Sequence, residues 1–346
     1  MQGLIVNYPN WVWLVFFGTV FAALFVDLFI VNRKTHEPSR RETFVWSAVW
    51  ISLALLFNVF IYWVVKDIDG HAVGVLKAKE FLTGYLIELS LSVDNLFVFL
   101  LIFSYFKLPK EFQHRVLFWG IMGALGMRMI MIFTGAELVE KFHWLLYLFG
   151  AFLLWTGLKM FGGDDDDFNP ENSKIITLIT RIIPIQRSYD GQKFLTIENG
   201  KKVGTLLLLV LIVVELSDVM FAVDSIPAIF GITTDKFIIY TSNIFAILGL
   251  RTFFFLLADL ADRFHLLKYG LAFILSFIGV KMLLPLVASG ILHFQADKSK
   301  GFGLFLQRFV NHEFSQQFIN ISLGVVMSAL TLSIILSLVF PAKGSK

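Results

Sequence analysis

Nine apolar stretches of spanning length punctuate the chain, at 11–31, 43–65, 81–105, 114–135, 143–161, 204–225, 237–258, 265–287 and 317–340. Within each, apolar residues run on continuously instead of alternating with polar ones. A helix of about 20 such residues crosses the ~30 Å hydrocarbon core of a bilayer. In lipid only helices and closed barrels satisfy their own backbone, and continuous runs select helices. The pattern predicts an all-α polytopic membrane protein with about nine transmembrane helices. The 57% hydrophobic and 16% charged content and a mean hydropathy of +0.76 agree, since a soluble domain carries about 25% charged residues. Ala288 to Gln316 fits the pattern poorly and reads as an interfacial or re-entrant segment.

The polar connections set an orientation. Arg33, Lys34, Arg40 and Arg41 follow the first stretch, Lys107, Lys110 and Arg115 follow the third, and Lys343 and Lys346 lie near the C-terminus. Residues 1–10 hold no Lys or Arg, which also removes the basic region of a cleavable signal. Basic residues stay on the cytoplasmic side, so the N-terminus is expected outside and the C-terminus in the cytoplasm. Lys298, Lys300 and Arg308 run against that rule. The connection from Gly162 to Val203 is the one substantial soluble piece. Its acidic run, 162-GGDDDDFNPEN-172, reads as a solvated linker. Ile175, Leu178, Ile179 and Ile182 have helical spacing within 174–185, and Asn199-Gly200 signals a hairpin.

Two lines of the sequence match each other. In 141-KFHWLLYLFGAFLLWTGLKM-160 and 263-RFHLLKYGLAFILSFIGVKM-282, Phe142-His143 matches Phe264-His265, Tyr147 matches Tyr269, and Gly157-Leu158-Lys159-Met160 matches Gly279-Val280-Lys281-Met282. Upstream, Gly126-x-Arg128 matches Gly249-x-Arg251, and 92-SVDNLFVF-99 lies over 216-LSDVMFAV-223, pairing Asp94 with Asp218. Apolar helices share Leu and Phe by chance, but not Gly, Arg, His and Asp at held spacing. Stretches three to five thus repeat as stretches six to eight. Three crossings per unit invert the second unit relative to the first, an arrangement typical of secondary transporters. The chain divides into 1–80 with two helices, the repeats 81–161 and 204–287 around a cytoplasmic loop at 162–203, and 288–346 with a last helix.

Candidate chemistry sits where each repeat opens: 88-ELSLSVDNLFVF-99 and 215-ELSDVMFAVDSIP-227. A lipid-facing carboxylate at mid-helix costs about 2.5–3.5 kcal/mol on insertion scales. Glu88, Asp94, Glu215, Asp218 and Asp224 must therefore face a wet or cationic interior. Glu215 and Asp218 lie about 60° apart around a helix, Asp218 and Asp224 about 120°. A kink or unwound turn near Pro227 and the motif serines is expected to converge them. With Asn95 and Ser225 they form a hard-oxygen donor set, without cysteine anywhere in the chain and without histidine in these motifs. That set suits Mg²⁺, Mn²⁺ or Ca²⁺ as a transported ion, with no permanently bound cofactor. Acids that change protonation could carry protons as counter-ion. Arg128 and Arg251 are candidate ion-pair partners, and Asp27 and Asn58 candidate additions to the pathway. Structural pairing weighs evenly against function for the arginines. His143 and His265 read as interfacial anchors.

The motifs Glu88-Leu-Ser-Leu-Ser-Val-Asp94-Asn95 and Glu215-Leu-Ser-Asp218-Val-x-Phe-Ala-Val-Asp224-Ser225-Ile-Pro227-Ala228, with 80-EFLTGYLIE-88, 131-MIFTGAELV-139 and 238-IIYTSNIFAILGLR-251, resemble the TerC family of integral membrane proteins. The resemblance runs from Asp27 to about Leu284. It implies a bacterial inner-membrane protein linked to Mn²⁺ efflux, with relatives associated with tellurium resistance and a distant relation to lysine exporters. It also places the family's acidic residues on Glu88, Asp94, Glu215, Asp218 and Asp224. The choice of Mn²⁺ rests on the resemblance alone.

The expected function is a divalent cation exporter working by alternating access in the lipid bilayer, not an enzyme. It has no single basic face for nucleic acid, and its oligomeric state is left open. Two rivals stand beside it. An intramembrane aspartyl protease needs paired acids, but Tyr189-Asp190 falls in the loop and Gly162-Gly163-Asp164 lacks the earlier glycine of such motifs. A metal-sensing scaffold, active in metal or tellurite stress without transport, would act through Gly162–Val203.

Overall fold

The computed structural model describes residues 6–27, 40–162, 183–186, 188–198, 200–258, 266–294 and 315–340. The side chains of Asp94 and Arg251 lie outside the described set. So do the acidic run from 163 to 172, residues 174–182 of the expected loop helix, Asn199, His265 and most of 288–316.

The helices are α1 Asn10–Val26, α2 Arg40–Asp69, α3 His71–Tyr105, α4 Lys110–Lys141, α5 Leu145–Gly162, α6 Leu206–Phe230, α7 Lys236–Leu248, α8 Leu250–Ala258, α9 Leu267–Phe294 and α10 Ser315–Val339. Every apolar stretch falls on one of them, with α7 and α8 sharing the seventh. Helices α2, α4, α5, α6, α9 and α10 are each long and apolar enough to cross a membrane. Helices α1 and α7 are apolar but shorter, at 17 and 13 residues. Helix α3 has 35 residues and carries Lys77, Lys79, Glu80, Glu88 and Asp94. The architecture is that of an all-α membrane protein.

Helix ends follow local chemistry. Helices α1 and α4 start immediately after Pro9 and Pro109, where a fixed φ suits the first turn. Asp235 caps α7, accepting from the backbone N–H groups of Phe237 and Ile238. At the α3–α4 turn Lys107 takes a left-handed φ of 48°, and the Leu108 N–H reaches back to the Phe103 carbonyl at 2.8 Å, closing the helix end.

One sequence expectation needs correction. The unwound turn expected in the acid-bearing helices is absent: α3 and α6 are each continuous helix, with Pro227 confined to the last turn of α6. Ser90 and Ser217 bond the carbonyls four residues back within those intact helices. The break falls instead at Gly249, between α7 and α8. Glycine is a weak helix former, and the Phe253 ring occupies the space its side chain would need. The helical spacing read in 174–185 lies on residues outside the described set; at the described end of that segment Ile185 is bridged beside Gly204. The hairpin stands as expected: β1 (Leu195–Glu198) pairs antiparallel with β2 (Lys201–Gly204), turning through Gly200 at φ 75°.

Helix α3 packs against α2, α6, α7 and α10, while α6 packs on α4. The most extensive pairing joins α5 to α9, and glycine makes it possible. A Cβ on Gly279 would sit 2.6 Å from the Leu154 nitrogen and 2.7 Å from the Gly150 carbonyl, and one on Gly157 would sit 2.7 Å from the Ala272 carbonyl. Such close backbone approach is how helices associate where lipid removes the hydrophobic driving force. Across the bundle the buried apolar residues form two clusters. One is built around Phe16, Phe57, Phe81, Phe237 and Phe245. The other is built around Phe103, Leu117, Val210 and Phe254.

Candidate functional site

Between those two apolar clusters four helices bring polar groups to one point. Arg128 is near the middle of α4 and Asp218 near the middle of α6. On α3, Glu88 lies between Ile87 and Leu91 of the first cluster, with Leu96 of the second two turns further on. Arg128 is completely buried, as is Glu88. Its Nη2 donates to Asp218 Oδ1 at 3.0 Å and its Nε to Asp218 Oδ2 at 3.2 Å, a two-pronged grip that a planar guanidinium makes well. Its Nη1 donates to Glu88 Oε1 and to Asn243 Oδ1 at 2.8 Å. The Asn243 amide then donates to Glu88 Oε2 at 3.0 Å, and the Ser92 hydroxyl to Glu88 Oε1 at 3.4 Å.

This centre is electrically unequal: two carboxylates surround one guanidinium, which leaves one negative charge if both acids are ionised. Buried acids left without a partner are far costlier than paired ones, so Arg128 holds together a pair that would otherwise repel. The arginine proposed as an ion-pair partner has that role here, with Glu88 and Asp218. Asn243 was missed by sequence reading. An amide flanked by Ser242 and Ile244 inside an apolar helix was the available signal.

The remaining candidates are distributed around this centre. Glu215, one turn before Asp218, rests its carboxylate against Gly123 of α4, and a side chain at that glycine would overlap it. Asp224 is half-buried further along α6. Ser225 is buried with its hydroxyl unpartnered among the described residues. Asn95 is buried on α3. Asp94 lies on the same helix, and Arg251 on α8. Asp27 is buried just beyond α1. On α2 the Asn58 amide oxygen is buried without a hydrogen-bond partner among the described residues. Also among the described residues, no three acidic or histidine side chains converge as a metal cluster. In this conformation Glu88 and Asp218 face Arg128.

A second buried polar network, unforeseen from sequence, lies at the N-terminal end of α3. The Lys77 ammonium contacts Glu80 Oε2 and Asp235 Oδ2, each at 3.0 Å. The Thr233 hydroxyl donates to Glu80 at 2.7 Å, and the Tyr8 hydroxyl to Asp235 at 3.1 Å. Lys77 is fully buried and both acids nearly so. Burial and the neighbouring Asp235 charge push the Tyr8 hydroxyl far above its ordinary range, so it remains a neutral donor. Three parts of the chain meet here: the residues before α1, the start of α3 and the α6–α7 turn.

Comparison with known proteins converges with this picture. The family model of the integral membrane protein TerC family matches residues 73–345. An "Uncharacterized membrane protein STKORF319" of Myxococcus xanthus is 50% identical over 270 residues, 78% of this chain and 82% of that protein. The "Putative membrane-bound redox modulator Alx" of Escherichia coli K12 is 50% identical over 262 residues, 75% of this chain and 82% of its own. The protein of that name in Salmonella typhi is 48% identical over 273 residues, covering 79% and 85%. No solved structure matches. A family match across most of the chain, and relatives of this identity over most of their length, show that the chain belongs to the TerC family of integral membrane proteins.

Proposed function

We propose that the chain exports a divalent metal ion, Mn²⁺ by its family resemblance, from the bacterial cytoplasm by alternating access. The observation that carries the reading is the Arg128–Glu88–Asp218–Asn243 centre, buried mid-helix between two apolar clusters. Intramembrane acids mark ion pathways by default. Glu88, Asp94, Asp218 and Asp224 are the proposed ligands, with Asn95 and Ser225 as neutral donors and Glu215 completing or gating the site. A divalent ion and Arg128 compete for the same carboxylates. Ion binding is thus coupled to release of the guanidinium, and proton uptake by the freed acids would serve as counter-transport.

The nine-span, inverted-repeat topology belongs to this reading, with the N-terminus outside and the C-terminus cytoplasmic. Two observations support it. Glu88 and Asp94 are six positions apart, as are Asp218 and Asp224. Matching Glu88 with Asp218, instead of Asp94 with Asp218, accounts for the guanidinium those two acids share. In the α5–α9 seam Gly150 meets Gly279 while Gly157 meets Ala272. In the repeat register Ala272 corresponds to Gly150 and Gly279 to Gly157, so each contact is the image of the other, as a two-fold relation requires.

The test is Mn²⁺ uptake into inverted membrane vesicles at several pH values. Saturable uptake by the wild type, abolished in Asp94→Asn without loss of insertion, is the expected result. A well-inserted wild type that moves no metal under any gradient would overturn the reading in favour of a sensor or scaffold. The name of the E. coli relative concerns redox. This sequence has no cysteine, so no such effect of these residues would run through thiol exchange of their own.

A further inference from the structure

The hairpin before α6 has a surface that neither the bundle nor the acidic centre uses. Leu195 and Ile197, two apart on β1, share one face and are 55% and 72% exposed. Lys202 stands directly opposite Ile197 on that face, while exposed Lys201 pairs with Glu198 on the other. From Lys193 to Gly204 the described residues include three lysines, Lys193, Lys201 and Lys202, against the single acid Glu198. The opposite side is anchored. The Tyr189 hydroxyl donates to the Phe106 carbonyl at 2.7 Å, Arg115 stacks over the Phe194 ring, and the Thr205 hydroxyl donates to the Lys193 carbonyl at 2.7 Å. Helix α6, an apolar spanning helix, begins one residue after Thr205. The base of the hairpin is therefore fixed at the level where hydrocarbon gives way to headgroups.

We propose that this hairpin is a membrane-surface anchor for anionic lipid: Leu195 and Ile197 enter the headgroup–acyl boundary while Lys202, on the same face, meets lipid phosphates. Three features of the hairpin point to lipid. Apolar side chains at the bilayer edge gain by insertion, a lysine beside them gains from a negative surface, and the short tether to α6 holds the hairpin where both occur. Lys193 contributes less, because Asp190 holds its ammonium at 3.3 Å. The proposal is independent of any transport activity.

Because the sequence contains no cysteine, a single introduced cysteine labels uniquely. Leu195→Cys, Ile197→Cys and Glu198→Cys, each carrying a nitroxide, are reconstituted as full-length protein into bilayers of phosphatidylcholine alone or with one-third phosphatidylglycerol. Collision with oxygen, which concentrates in lipid, is compared with collision with a water-soluble nickel chelate. In anionic bilayers the oxygen-to-nickel ratio at 195 and 197 is expected to exceed that at 198 several-fold. It is expected to fall toward the value at 198 in neutral bilayers or when Lys202→Glu is added. Equal, water-like ratios at all three sites in anionic bilayers would overturn the proposal. So would shielding of 195 and 197 that is unchanged by lipid charge and persists in detergent, because another part of the chain would then cover the face.

Discussion

Arg128 is where the chemistry of single side chains decides most. It has three acceptor residues, and each reaches it from a different helix. Arg128→Met leaves Glu88 and Asp218 buried and uncompensated, a loss on the order of 3–5 kcal/mol. Thermal unfolding in detergent should show it, and adding Glu88→Gln to the same variant should return part of the loss. If Arg128→Met unfolds at the wild-type temperature, the guanidinium is not what holds the acids. Gly123 gives a cleaner geometric test. Gly123→Ala drives a methyl into the Glu215 carboxylate, whereas Gly126→Ala meets nothing within 4 Å. The first should lower the unfolding temperature and the second leave it unchanged, and identical behaviour would mean that Glu215 moves aside freely.

At the scale of elements, the Lys77 network ties the start of α7 to α3. Asp235 receives Lys77 and also caps α7, so disturbing one function disturbs the other. Lys77→Met should release the first turn of α7 to faster amide hydrogen exchange while leaving α9 protected, a difference readable by mass spectrometry. Uniform exchange across both would refute a local role. The elements themselves were legible in sequence because lipid imposes a simple rule: a long apolar run becomes a helix. What was not legible was where a helix breaks. Pro227 and the serines pointed to α6, yet the break is at Gly249, because only three residues of α6 follow Pro227, and the Phe253 ring needs the space above Gly249. The candidate acids were legible as anomalies of polarity. Their partners Asn243, Lys77 and Asp235 were not, because pairing spans 115 and 158 residues of sequence and no local pattern announces it.

For the molecule as a whole, topology is the open quantity of greatest consequence. With the N-terminus outside and nine crossings, single cysteines at Gln2 and Ser345 should react with an impermeant maleimide from opposite sides of intact cells. Reaction from the same side would require an even number of crossings and would overturn the nine-span topology. The α5–α9 seam would survive that result, since it depends on the glycines and not on the number of crossings.

The seam also bears on ancestry. Two surfaces that meet each other's images are surfaces that two copies of one half could have offered before they were joined. A lone three-helix half could have paired this way only with a copy inserted upside down, as a dual-topology dimer does. On the inverted-repeat reading proposed above, Gly150 against Gly279 and Gly157 against Ala272 are the self-complementary contacts such a dimer would leave behind once two genes became one.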